Sequence, residues 1–347
     1  MITAVAVVLL LAVTAYAVFG GADFGAGFWD LTAGGTRRGA RPREVIDQSI
    51  GPVWEADHVW LIFCFVVLWT SFPEAYASIW LTLFVPLTIA AFGIVLRGAS
   101  FAFRKAVFRD RDQRAFGAAF AISSVIVPYC LGSVAGGIAS GRVPSGGEAG
   151  DPVNSWINPT SATGGVLAVV TVAFLASVYL VREAGRIADD EMVEYFRRRA
   201  LGSAVVAGIV AVVGLFVFET DAPYLYDGLT SRAIPFVVLS AACGVGVIAL
   251  LVRHQWRGSR VLAVVAVASI IVAWGAAQWD YILPTTLTFD QAAAPSGTLA
   301  TVLVVTVLAV LIIVPAFVLL FVLDQRGLLP DEGVDDADPA AARPVIT

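Results

Sequence analysis

The sequence predicts an all-α membrane protein with nine transmembrane helices. Of its 347 residues, 59% are hydrophobic and 14% are charged, and its mean hydropathy is +0.84. Soluble domains carry about 25% charged residues, and runs such as Val166–Val181 are apolar on every face of a helix. Such runs predict helices in lipid, because a helix satisfies its backbone polar groups within its own segment.

Nine apolar runs approach or exceed the length of about 20 residues that a helix needs to cross a bilayer. They cover residues 2–20 (extending to about 31), 52–72, 76–97, 116–139, 161–181, 200–218, 233–252, 261–279 and 298–323. We therefore predict one membrane domain over residues 1–325. Residues 326–347 are acidic and rich in Pro and Ala, and we expect them to form a disordered cytoplasmic tail.

Lys and Arg residues divide unevenly among the connections between these runs. The odd-numbered connections hold 18 of the 22 Lys and Arg residues, and the even-numbered connections hold two. Because positively charged connections stay in the cytoplasm, the sequence predicts an N-terminus outside and a C-terminus inside. No positive region precedes the first run, so we interpret it as a membrane span and not as a cleaved secretion signal.

The second run opens with three ionisable residues, in the segment GPVWEADHVWLIF. Glu55 and His58 lie one turn apart on a helix, whereas Asp57 faces nearly the opposite way. Asp23, near the end of the first run, falls in the same predicted cytoplasmic half of the membrane. Ionisable groups at such depths are costly, and they commonly mark proton routes.

Two interpretations of these four residues remain open. In one, they are interfacial charges at the mouth of a helix, with Trp54 and Trp60 in the aromatic belt of the membrane. In the other, they form a proton-transfer site. Arg97 and Arg104, at the cytoplasmic end of the third run, are expected to extend to lipid head groups.

Metal-ligating residues are scarce in this sequence. It contains two histidines, and His254 lies among arginines at the predicted cytoplasmic end of the seventh run. The one remaining histidine, His58, cannot ligate several haems that each need two histidines. The three cysteines lie singly in apolar runs without metal-ligand spacing, and no nucleotide-binding motif is present. We therefore predict no metal site, no catalytic residue and no nucleic-acid partner for this chain.

Several stretches resemble subunit II of cytochrome bd quinol oxidases. They are GGADFGAGFWDL, SIGPVWEADHVWLIF, SFPEAYAS, LRGASFAFR, WGAAQWDYILP and FDQAAAPSGTL. The resemblance implies a bacterial cytoplasmic-membrane heterodimer with a haem-bearing subunit I, which oxidises membrane quinol and reduces dioxygen to water. It assigns haem b and haem d to subunit I. For subunit II it implies a scaffold, part of the cytoplasmic proton route and sometimes a bound quinone or lipid. The candidates for contact with that quinone or lipid are Trp54, Trp60, Arg97 and Arg104. Small accessory subunits are also implied as partners.

The resemblance also suggests roles for individual residues. Glu55 matches the acid that follows Trp in the family's GPxW-acid motif, and Asp23 matches the acid of its D-x-G element. Two positions depart from the pattern, since Gly20 and Ala102 stand where relatives carry further acids. Either His58, Asp57 and water fill this gap, or few protons pass through subunit II in this branch.

Two other function classes fit parts of the sequence. An ion-coupled secondary transporter would also explain buried acids and helices interrupted by Gly and Pro. Such transporters have paired broken segments in two matching halves, and the later half contains no second copy of the first two runs. A haem-carrying electron-transfer subunit is limited by the single embedded histidine.

Trp274, Gln278, Trp279 and Asp280 end the eighth run, and we interpret them as an interfacial anchor.

Overall fold

The computed structural model describes residues 1–35, 38–50, 54–106 and 110–325 of the chain. The side chains of Trp54, Glu55, Asp57 and Arg104 lie outside the described part, although their backbones belong to helices. The predicted tail over residues 326–347 also lies outside it, so its disorder stays a prediction.

The described regular structure is almost entirely helical, as predicted. In chain order, the elements are α1 (Ile2–Thr32), α2 (Ala40–Ile50), α3 (Trp54–Ser71), α4 (Pro73–Thr82), α5 (Phe84–Ala106), α6 (Asp110–Ala139), α7 (Pro159–Arg186), α8 (Asp190–Asp221), α9 (Pro223–Thr230), α10 (Ile234–Val252), α11 (Ser259–Ala277), β1 (Tyr281–Leu283), β2 (Leu287–Thr288), α12 (Phe289–Ala292) and α13 (Ser296–Gln325).

Seven of the described helices are long and apolar enough to cross a membrane, so the chain is a multi-pass membrane protein. These helices are α1, α6, α7, α8, α10, α11 and α13. The count rises to eight if α3 and α4, which form a bent pair, are taken as one span, and α5 contributes a shorter apolar segment, Phe84–Ser100. The count of nine spans and the orientation of the termini stay predictions.

The predicted third span, residues 76–97, is wrong as a single helix. The chain breaks at Leu83, between α4 and α5, and α4 is bent by 119° from the preceding helix. Pro73 lies at the start of α4, and Pro86 lies in the first turn of α5. Proline is tolerated in a first turn because the N–H that it lacks would have no partner within the helix. The two prolines therefore favour two separate helix starts.

The two sides of the helix bundle differ in charge. On the side that we call the basic side, α1, α5, α7 and α10 end and α6, α8 and α11 begin. It contains the arginine-rich connections, and Arg197 of α8 donates there to the carbonyl of Leu251, at the end of α10, at 3.3 Å. On the opposite side, Thr286 of the β1–β2 hairpin donates to the carbonyl of Val143 at 3.2 Å.

The α7 helix is central to the packing, since it contacts α1, α2, α6, α8 and α11. Two glycines allow these contacts to be close. A Cβ on Gly25 of α1 would lie 1.9 Å from the carbonyl oxygen of Val172 in α7, and a Cβ on Gly132 of α6 would lie 2.4 Å from that of Gly164. Close packing through small residues is a major source of helix association in lipid. The glycines of α1 and α6 therefore allow both helices to approach α7 closely.

The last connection contains a hairpin and a short helix that the sequence did not predict. Strands β1 and β2 form an antiparallel hairpin there, and α12 follows with a capping box between Thr288 and Gln291. By its contacts the chain divides into a unit of Met1–Leu299 and a second unit that begins at Ala300. Among the described residues, the second unit consists of the remainder of α13.

Candidate functional site

A buried ion pair joins α1 to α5. The side chains of Arg97 and Asp23 are 3% and 1% exposed. The guanidinium meets the carboxylate with two nitrogens: Nη2 donates to Oδ1 at 2.8 Å, and Nη1 donates to Oδ2. This two-point geometry is the strong form of an arginine–carboxylate contact.

Further contacts enclose the Arg97 guanidinium. Its Nε donates to the hydroxyl of Ser124 in α6 at 3.0 Å, and its Nη2 also donates to the backbone carbonyl of Asp23 at 3.1 Å. The ring centroids of Phe24 and Phe120 lie 4.8 Å and 4.5 Å from its central carbon. Arg97 thus lies inside the bundle and links three helices, contrary to the expectation that it extends to lipid head groups.

The Gly-rich sequence of α1 explains how α6 approaches this pair. A Cβ on Gly27 would lie 2.1 Å from the Ser124 hydroxyl oxygen. Any larger residue at position 27 would therefore push Ser124 away. Ser124 also donates to the carbonyl of Phe120 at 2.7 Å, which fixes its hydroxyl near the guanidinium.

The α3 helix, which carries the other predicted site residues, packs against the same segment of α1. The ring of Trp60 stacks on Phe19 with centroids 6.1 Å apart and an interplanar angle of 16°. Phe19 lies one turn before Asp23 on α1. His58, half-buried, lies two residues before Trp60. The structure therefore brings the α1 and α3 parts of the predicted site onto adjacent helices.

Two arginines hold α2 in place, just before the described start of α3. Arg43 donates to the Asp30 carboxylate at 2.6 Å and to the carbonyl of Gly34 at 2.7 Å. Arg41 donates to Asp189, at the turn between α7 and α8, at 2.9 Å. Both arginines were counted among the basic residues that predict the orientation of the chain, and no helix was predicted here. Val45 and Ile46 are buried and give α2 an apolar face.

A cavity of about 240 Å³ lies farther from the basic side, along the first half of α1. Its walls come from α1, α3, α4, α6 and α11 with the hairpin and α12, and they are largely apolar. Two polar atoms on its lining residues are buried without a hydrogen-bond partner: Trp274 Nε1, a donor, and Gln278 Oε1, an acceptor. Gln278 is 5% exposed, so it is a buried residue and not the interfacial anchor expected from its position.

The described residues contain no group of three or more His, Cys, Asp and Glu side chains that could hold a metal ion. His254 is exposed in the corner between α10 and α11, far along the chain from His58. Cys64, Cys130 and Cys243 are buried and unpaired by disulfides. The site therefore consists of an ion pair, an α3 polar segment and an apolar cavity.

Comparison with known proteins gives consistent matches. The family described as "Cytochrome bd terminal oxidase subunit II" matches residues 1–323. The chain is 26% identical to cytochrome bd ubiquinol oxidase subunit 2 of Bacillus subtilis (strain 168) over 64% of each chain, so the match covers under two thirds of that relative. It is 21% identical to a putative cytochrome bd menaquinol oxidase subunit II of the same strain, over 91% of this chain and 94% of the relative.

A solved structure has a similar fold. A chain in the structure of bd oxidase from Geobacillus thermodenitrificans superposes with a TM-score of 0.73. The superposition covers 92% of this chain and 97% of that chain, at 23% sequence identity. At that identity the likeness shows the fold alone.

Proposed function

The chain belongs to the cytochrome bd terminal oxidase subunit II family, and from this premise we propose that it serves as the second subunit of a quinol:dioxygen oxidoreductase. Its partner would be a haem-bearing subunit I, with small accessory subunits as further partners. The complex would lie in the bacterial cytoplasmic membrane, oxidise membrane quinol and reduce dioxygen to water. In this role the present chain supplies scaffold and proton-handling groups.

Haem b and haem d would belong to the partner subunit. This chain has too few axial ligands to hold several haems, since it contains two histidines and two methionines in total. One of those histidines, His254, lies exposed in a corner between helices. No step of the chemistry at haem is therefore assigned to residues of this chain.

The α3 segment supports a part in cytoplasmic proton uptake. Glu55, Asp57 and His58 lie close together near the start of this helix. The arginine distribution predicts that this end of the helix is cytoplasmic. The stacking of Trp60 on Phe19 supports this proposal, because Phe19 lies one turn before Asp23 on α1. That juxtaposition is the observation on which the proposal depends. Asp23 was predicted as a fourth member of this group, but its pairing with Arg97 sets it apart, and the proposal concerns the three α3 residues.

The cavity supports a bound quinone. A quinone has a long apolar tail and a head whose oxygens accept hydrogen bonds when oxidised and also donate them when reduced. Trp274 and Gln278 line the cavity, and they carry the indole N–H donor and the amide group that such a head requires. Trp274 Nε1 and Gln278 Oε1 are buried without a partner, and an unmade hydrogen bond of this kind costs about 1–3 kcal/mol. A lipid with a polar head would meet the same residues.

Purification of the tagged chain from native membranes tests the assignment. We expect a haem-bearing subunit to co-purify, with the absorption bands of haem b and haem d and with quinol-driven oxygen consumption. The His58→Ala variant is expected to keep the haem spectrum in the assembled complex. A chain that purifies alone, without haem or oxidase activity, contradicts the proposal. Loss of one haem from an assembled His58→Ala complex contradicts the division between subunits.

A further inference from the structure

We propose that Arg97 holds Asp23 in a fixed two-point ion pair, so that Asp23 acts as an anchor for α1 and not as a proton carrier. Arg97 is then a positioning residue that acts on α3 through α1. The functional part of this inference rests on the proposed role in proton uptake, which it confines to the α3 residues. The structural part stands on the contacts of the pair itself.

The first step is the saturation of the pair. Each carboxylate oxygen of Asp23 accepts one N–H from Arg97. Arginine stays protonated in proteins. A proton on the carboxylate would remove the counter-charge of a buried cation, which is strongly unfavourable.

The second step is the isolation of the pair from exchange partners. The guanidinium lies between the rings of Phe24 and Phe120, and its Nε is taken by Ser124. The carboxyl side chain is 1% exposed, so it has almost no contact with bulk solvent. A carrier must accept a proton from one neighbour and release it to another, and among the described side chains the carboxylate of Asp23 contacts Arg97.

The charged groups on the packed helices support the same conclusion. Arg97 on α5 is the charged residue that contacts Asp23 among the described side chains. The neighbouring residues of α6 and α7 are uncharged, namely Ser124, Phe120 and Val172. On α2, Arg43 pairs with Asp30, two turns farther along α1. On α3, His58 and Cys64 are the ionisable residues whose side chains are described.

The third step connects the anchor to α3. Asp23 lies one turn after Phe19 on α1, and Phe19 stacks on Trp60. The ion pair fixes the rotation and depth of α1 at this level, because the arginine fork accepts one carboxylate orientation. Movement of α1 would displace the ring on which Trp60 rests, and with it the α3 segment that carries Glu55 and His58.

Three variants of the whole complex test the inference: Asp23→Asn, Arg97→Gln and the double variant. Removing one partner of a buried pair is far more damaging than removing both. We therefore expect each single variant to lower the yield and melting temperature of the complex, and the double variant to recover most of that loss. Oxygen consumption per assembled haem should stay within about twofold of wild type, which corresponds to a change of less than about 0.5 kcal/mol in the activation free energy. The pH profile of the activity should be unchanged.

Two results would overturn the inference. One is an assembled Asp23→Asn complex that consumes oxygen about tenfold more slowly or with a shifted pH profile, since a carrier would behave in this way. The other is a double variant no more stable than the worse single variant. The melting measurements do not require oxidase activity, so a failure of the proposed function would be seen separately, in the wild-type complex.

Discussion

Arg142 and Asp221 form a two-point ion pair on the opposite side of the bundle, where it joins the α6–α7 connection to the end of α8. Nη2 donates to Oδ1 at 2.6 Å and Nη1 donates to Oδ2 at 3.1 Å. Asp221 also accepts from the backbone N–H and the hydroxyl of Thr160, at 3.1 Å and 2.6 Å. One carboxylate thus binds the connection and the first turn of α7 together.

This arrangement predicts unequal effects of removing its two partners. Asp221→Asn weakens the contacts to both Arg142 and Thr160, so we expect it to destabilise the chain by about 1–2 kcal/mol. Arg142→Gln leaves the Thr160 contacts in place and removes a partly exposed charge, so we expect less than about 1 kcal/mol. Thermal melting of the complex in nanodiscs measures both, with exposed Glu219→Gln as the control. Equal losses would show that the Thr160 contacts contribute little.

The polar face of α4 predicts a protected loop. Glu74, Ser78 and Thr82 recur every four residues, and their side chains accept the backbone N–H groups of Gly146, Gly147 and Gly150 at 2.7, 3.0 and 3.0 Å.

Ser78→Ala removes one acceptor, and a hydrogen bond contributes about 1 kcal/mol. The Gly147 amide should then exchange with deuterium roughly fivefold faster, as measured by hydrogen-exchange mass spectrometry. Thr230→Ala, whose hydroxyl bonds within α9, is the control. Unchanged exchange at Gly147 would mean that other contacts hold the loop.

The cavity predicts a filling mutation that displaces its occupant. Ala135 of α6 lines the cavity, and Ala135→Phe would occupy much of its volume. We expect the purified complex to lose most of the quinone extracted with it and to keep its haem spectrum. Ile126→Phe is the matched control, because Ile126 lies on the same helix and is 39% exposed. The same quinone content in both variants would place the bound quinone elsewhere in the complex.

The charge asymmetry predicts which side each connection faces. Single cysteines at Glu148 and Arg253, both exposed, should react differently with a membrane-impermeant thiol reagent. We expect labelling at position 148 from outside the cell and at position 253 only after the membrane is opened, since arginine-rich connections stay inside. The native cysteines are buried and provide a low background. The reverse pattern would invert the predicted orientation.

The helices and the ion pair differ in how far the sequence could predict them. Hydropathy predicts the bounds of most helices to within a few residues, because a helix that crosses the bilayer needs a continuous apolar run. It cannot detect the break at Leu83, since both α4 and α5 are apolar and their join changes no composition. Asp23 and Arg97 are 74 residues apart, and their pairing depends on how α1 and α5 each pack against α6. The glycines of α1 let α6 and α7 approach, but the sequence does not indicate which helices these are.

Glu55 is the residue for which the proposed function makes its strongest claim. A carboxyl group within a membrane helix persists because it is hydrogen-bonded, hydrated or protonated, and such groups commonly belong to proton routes. Glu55→Gln keeps the shape and hydrogen bonding of the side chain and removes its exchangeable carboxyl proton. We expect quinol-driven oxygen consumption to slow about tenfold, which corresponds to a rise of ~1.4 kcal/mol in the activation free energy. Assembly and haem content should be unchanged.

Two further variants locate the effect at the carboxyl of Glu55. Glu55→Asp keeps a carboxyl that accepts and releases a proton, so it should retain more activity than Glu55→Gln. Asp23→Asn removes the neighbouring buried carboxyl of α1 and should affect stability instead of turnover, because Arg97 occupies both of its oxygens. Stopped-flow measurement of proton uptake beside oxygen consumption separates the two effects. A Glu55→Gln complex as fast as wild type contradicts the carrier role, and one that fails to assemble assigns Glu55 to helix packing.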